Sequence, residues 1–189
     1  MVARQAIGAI LNAECSFQRN EPSQTLAPIA IPAVPPADEL PDAETFGDHF
    51  QRRNIPAEAL VAGRDGAGRV ASWVRTRQRL DADPTGVLSQ CWLTFISDDL
   101  PTEAVFTALR AADPTLPDHG AMTVSLDHTV WFHRPMRADE WHLYEMTCHA
   151  FAGSRGLAFG HVFSAAGEHV ASFAQEVLAR FDRGDRSGE

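Results

Sequence analysis

The chain has 189 residues, 44% hydrophobic and 22% charged, enough apolar content for one packed domain without disulfide or metal staples. Sixteen basic residues, all arginine, stand against 25 acidic ones, a formal net charge of −9 that argues against nucleic acid as a partner. Three separated cysteines, Cys15, Cys91 and Cys148, show no CxxC or CxxH spacing, so neither a zinc site nor a disulfide framework is expected, and a reducing, cytoplasmic setting is the default. No apolar run approaches the roughly 20 residues of a membrane span.

In chain order, Ala9 to Phe17 reads as a strand. Residues 21–45 carry Pro22, Pro28, Pro32, Pro35, Pro36 and Pro41, a density that excludes helix and central strand and predicts an extended linker. Residues 46–182 form the compact part, and 183–189 a polar tail. Within the compact part, Asp65-Gly66 reads as a tight turn leading into a strand over Arg69–Leu80. Val87–Ile96 is apolar nearly all round and predicts a buried helix. Ser97-Asp98-Asp99 and Pro101 close it, and a second short helix covers Thr102–Ala111. Met122–His133 alternates as one long strand ending before Pro135. Three more strands follow, about Trp141–Ala150, Leu157–Ser164 and His169–Arg180, joined by hairpin-like connections. The economical architecture is α+β, a curved antiparallel sheet wrapped around one central helix.

Several polar groups invite a chemical reading. Ser125, Asp127 and His128 suggest a serine triad, but strict alternation turns Asp127 and His128 to opposite faces, and no GxSxG elbow is present. His119, His128, His133, His142, His149, His161 and His169 lack metal-ligand spacing and read as hydrogen-bonded structural groups. Gly63, Gly66 and Gly68 read as turn glycines. Arg75, Arg77 and Arg79 form a guanidinium stripe, either a solvated strand face or a landing site for phosphates. Two residues stand out because their neighbours are apolar. Asp98 follows Phe95 and Ile96, where partial desolvation would tune a general base. Gln175 shares a strand face with Phe173 and Val177, where a buried amide requires partners. The blander alternatives are an exposed helix cap and a core hydrogen bond.

The stretch Ser125–Trp141, SLDHTVWFHRPMRADEW, resembles the acyl-CoA thioesterase II (TesB-like) family. ASFAQEVLAR (Ala171–Arg180), FISDD (Phe95–Asp99) and SRGLAFG (Ser154–Gly160) match it in order and spacing. The resemblance implies a hot-dog fold and hydrolysis of acyl-CoA to free acid and CoA. It also implies a catalytic set of Asp98, Ser125 (where the family often has threonine) and Gln175. Asp98 would take a proton from a water that Ser125 and Gln175 orient, without an acyl-enzyme, metal or redox cofactor. Backbone NH groups at the start of the helix would steady the oxyanion. The resemblance implies two hot-dog units in full family members, of which this sequence is expected to hold only the second in full. Residues 1–20 resemble the last strand of a first unit, expected to be disordered, added to the sheet or swapped to a partner. A lone unit exposes a sheet edge, which implies a homodimer or higher homo-oligomer. A catalytically impaired acyl-CoA-binding module is the alternative, and a hot-dog dehydratase ranks below both, because no histidine accompanies Asp98 within the helix.

Overall fold

The computed structural model describes residues 1–19, 21–26, 29–45, 47–60, 68–81, 83, 85–117 and 121–181. The Asp65-Gly66 turn, Gly63, His119 and the polar tail lie outside them.

Two short strands open the chain, β1 (Val2–Gln5) and β2 (Gly8–Asn12), paired antiparallel in a sheet of their own. One longer strand over Ala9–Phe17 was expected. Instead Gly8, at φ +126°, lets the chain reverse, and the strand ends at Asn12. The main sheet has seven strands, in the order β3 (Phe50–Asn54), β4 (Arg69–Thr76), β7 (His142–Ala152), β8 (Arg155–Ser164), β9 (His169–Phe181) and β5 (Ala121–Ser125). The seventh strand, β6 (Thr129–Phe132), also pairs with β9. Every pairing is antiparallel. Gly153 and Ser154, both at positive φ, make the two-residue turn between β7 and β8.

Helices α1 (Val87–Asp99) and α2 (Pro101–Ala112) lie in the hollow of the sheet. Leu93, Ile96 and Leu100 meet Phe50, Val74, Tyr144, Val162, Phe173 and Val177 there, all at most 2% exposed. Each such side chain stabilises the fold by about 1.5–3 kcal/mol. Pro101 takes the first position of α2, where its missing N–H costs nothing, so the second helix starts directly after the first. Helix α1 therefore runs three residues past Ile96, and Asp98 sits in its final turn. It is also one-sided rather than buried all round. Ser89, Leu93, Ile96 and Ser97 face inward, while Val87, Leu88 and Phe95 remain exposed.

The Pro-rich segment is extended as expected, yet it is packed rather than free. Ile31, Val34, Ala37 and Leu40 join Trp73, Leu143 and Phe163 in a second apolar cluster on the other side of the sheet. Trp73 Nε1 donates to the Pro35 carbonyl at 2.9 Å and pins the segment in place.

The expected single strand over Met122–His133 is broken. Ser125 pairs with Val177 and Thr129 with Ala174, so four steps along one strand oppose three along β9. One extra residue is accommodated at Leu126–His128, a bulge that reverses the alternation and re-aims the side chains after it. Leu126 N donates to the Glu176 carbonyl, and Glu176 N to the Asp127 carboxylate, each at 2.8 Å.

Candidate active site

Gln175 points from β9 into the interior between Phe173 and Val177, and all three side chains are 0% exposed. Its Nε2 donates to the Ser125 hydroxyl at 2.8 Å and to the main-chain carbonyl of Asp98 at 3.2 Å. One buried amide thus ties the end of β5 to the last turn of α1. The Ser125 oxygen accepts from Gln175, so its own hydrogen is left to point elsewhere. Ser125 and the Asp98 side chain are exposed and line one cavity of about 940 Å³, together with Thr94, Phe95, His128 and residues 9–14 of the N-terminal segment. Gln175 does not line it. Asp98, Ser125 and Gln175, separated by up to 77 positions, therefore meet at one place.

Two details differ from the sequence-based expectation. Partial desolvation of Asp98 was expected, but its side chain is exposed. The carboxyl pushed above its ordinary value is the neighbouring Asp99, raised by burial and opposed by the Arg52 guanidinium. Arg52 is buried and pairs with Glu103, so Asp99 belongs to that charge network and not to the cavity. The start of α1 was expected to supply oxyanion donors. Its first N–H groups are already taken: Leu88 N and Ser89 N donate to the Asp83 carboxylate, and Val87 N to the Thr85 hydroxyl. Asp98 lies eleven residues further along the helix, about 16 Å away.

His128 was read as facing away from Ser125. The bulge turns it inward instead, with Nε2 2.9 Å from the Ser97 hydroxyl and its ring 6.1 Å from that of Phe173. Burial pushes the imidazole below its ordinary value, so the ring is neutral at neutral pH. Asp127 does not join it, being held by the Glu176 backbone, so the serine triad is not assembled. Room for the Phe173 ring comes from Gly160 on β8, where an added Cβ would lie 2.1 Å from the ring's Cζ.

Three histidines read singly come together elsewhere. His133 Nε2, His169 Nε2 and His161 Nδ1 lie 2.9, 3.0 and 3.1 Å from the Ser172 hydroxyl. Sequence reasoning missed the group, since its members are scattered over β8, β9 and the residue after β6. Among the described residues no cluster of His, Cys, Asp or Glu is arranged to hold a metal ion. Of the arginine stripe, Arg75 bonds Gln51 at 2.8 Å and stacks on Trp141, while Arg79 pairs with Asp81 at 3.2 Å. Strand β4 ends at Thr76, so the three arginines do not continue one strand face.

A curved antiparallel sheet closed over a helix, with a polar trio at the helix end, defines the class: a hot-dog domain. A hot-dog protein of unknown function from Alicyclobacillus acidocaldarius superposes with a TM-score of 0.59 at 18% identity over 86% of this chain and 58% of that one. The acyl-CoA thioesterase II TesB2 structure from Mycobacterium marinum superposes with a TM-score of 0.69 at 34% identity, covering 89% of this chain and 61% of that one. Acyl-coenzyme A thioesterase 8 of Rattus norvegicus is 30% identical over 200 aligned residues, 91% of this chain and 59% of that protein. The family model for the acyl-CoA thioesterase C-terminal domain matches residues 28–179, and the chain belongs to that family. The chain spans 37–59% of the length of the curated relatives it matches. No helix among the described residues is long and apolar enough to cross a membrane.

Proposed function

We propose that the domain hydrolyses acyl-CoA thioesters to a free acid and CoA. One observation carries this: a wholly buried glutamine amide spans the Ser125 hydroxyl and the helix end that bears Asp98, beside an open cavity. Asp98 is the general base. Its carboxylate takes a proton from a water while the water oxygen attacks the thioester carbon. The Ser125 hydroxyl, its oxygen occupied by Gln175, donates its hydrogen to that water and fixes its direction. The tetrahedral intermediate collapses with cleavage of the C–S bond, and the proton on Asp98 passes to the departing thiolate. Gln175 is a positioning residue that holds Ser125 and Asp98 in register.

No acyl-enzyme forms in this scheme. A single turnover with enzyme in excess, followed by intact-protein mass and CoA release, tests it. Release of CoA with no acyl adduct is expected. An acyl adduct on Ser125 or on a cysteine overturns the direct-water mechanism. Binding of acyl-CoA without release favours the binding-module alternative.

The domain is further proposed to act as a homodimer or higher homo-oligomer. Strand β5 ends the main sheet, and Met122, Val124, Trp131 and Phe132 on β5 and β6 are 41–56% exposed. An open edge with exposed apolar side chains invites pairing. Residues 46–182 carry the hot-dog core in this scheme, with residues 31–40 as its outer cover. The three cysteines are unpaired, which suits a reducing compartment such as the cytoplasm.

A further inference from the structure

Two buried atoms at the site lack hydrogen-bond partners: Nδ1 of His128 and Oε1 of Gln175. Buried polar atoms without partners are uncommon, and each one calls for a physical explanation. The direction of the Gln175 amide is set by its other contacts. The Asp98 carbonyl only accepts, so Nε2 must face it, and Oε1 is left on the opposite end of the amide. There the amide is a hydrogen-bonding neighbour of the His128 imidazole. On the other edge of the ring, Nε2 faces Ser97, whose single hydrogen has two possible targets. One is the Thr94 carbonyl at 3.1 Å, and the other is His128 Nε2 at 2.9 Å.

The two choices differ sharply. A neutral imidazole carries one hydrogen. If Ser97 donates to Thr94, His128 keeps its hydrogen on Nε2, and Nδ1 and Oε1 are both left as buried acceptors without a donor. If Ser97 donates to Nε2, the hydrogen sits on Nδ1 and is available to Oε1, so that one donor can serve both orphaned atoms. We propose that His128 is a positioning residue. Ser97 donates to its Nε2, and its Nδ1–H donates to Gln175 Oε1, directly or across one bound water, locking the amide with its NH2 on Ser125 and Asp98. The chain Ser97–His128–Gln175–Ser125 then orders the site from α1 to β5. Its consequence for turnover rests on the thioesterase proposal above, while the tautomer does not.

The test has one arm for each. Nitrogen-15 NMR of the imidazole rings in the full chain, with His128 assigned by substitution, reads the tautomer. The hydrogen on Nδ1 is expected. A wild-type hydrogen on Nε2 overturns the proposal. The kinetic arm compares His128→Asn, whose amide nitrogen replaces Nδ1, with His128→Gln, whose amide nitrogen replaces Nε2. His128→Gln is expected to lose kcat by about tenfold to a hundredfold with little change in KM, and His128→Asn to lose clearly less. Equal losses in both, or losses carried by KM, mark a packing role and overturn the proposal. A wild type with no turnover at all counts against the thioesterase proposal, while the NMR arm still decides the tautomer.

Discussion

Replacing Gln175 by methionine separates the work of its amide from the space it fills. Methionine keeps a similar unbranched bulk in a site that is 0% exposed. The substitution removes two hydrogen bonds, to Ser125 and to the Asp98 carbonyl, each contributing about 0.5–1.5 kcal/mol net. It also removes Oε1, the acceptor assigned above to His128 Nδ1–H, a third contribution of about 0.5–1.5 kcal/mol. The variant is therefore expected to lose about 1.5–4.5 kcal/mol. In a chain of this size that lowers the melting temperature by about 3–18 °C. The rate responds differently. Without the amide the Ser125 hydroxyl regains its rotational freedom and the end of α1 loses its tie to β9. Misplacing one water-orienting group lowers kcat by about a hundredfold. The assay is thermal melting together with CoA release read by a thiol reagent. A folded variant with wild-type kcat would refute the reasoning that the amide organises the site.

Other outcomes follow from particular contacts. Gly160→Ala places a Cβ 2.1 Å from the Phe173 ring and is expected to cost about 1–3 kcal/mol, a melting temperature lower by about 3–10 °C. An unchanged melting temperature would show that the ring yields freely. His128, His133, His142 and His169 are all pushed below their ordinary value of 6.5, first by burial. The unfolded chain then binds more protons than the folded one just below pH 6.5, so stability is full above that value and declines as pH falls through it. Melting across pH 8 to 5 checks this, and a rise in stability on acidification would contradict it. Light scattering is expected to find at least twice the 20.6 kDa chain mass at micromolar concentration, and a monomer would reject the association proposed for the β5 edge.

Much of the fold was legible because its signals are local. Hairpin-like connections set off β7, β8 and β9, and the run Val87–Ile96 marked α1. The bulge at Leu126–His128 was not legible. Nothing in SLDHTV distinguishes a continuous strand from one with an extra residue, because the interruption depends on Glu176 of the paired strand. That one residue decides whether His128 faces Ser125 or turns away. The Ser97–His128 contact was hidden for the same reason. The single-sidedness of α1 was missed because Val87, Leu88 and Phe95 are as apolar as the side chains that pack, and composition does not say which face finds a partner. The Pro-rich segment reads as a linker by composition, yet Ile31, Val34 and Leu40 are spaced to drop onto the sheet. The triad Asp98, Ser125 and Gln175 was named through family resemblance. The residues alone marked Asp98 and Gln175 as polar groups among apolar ones, and only the fold brings Ser125 to them.

The most direct measurement compares kcat for CoA release by the wild type and by Asp98→Asn under identical conditions, with both shown to be folded. Asparagine keeps the shape and the main-chain carbonyl that Gln175 grips, and removes only the ability to take the water's proton. Asp98 as the base requires turnover in the wild type and a loss of about a hundredfold or more in the variant. Equal rates in the two proteins would contradict it.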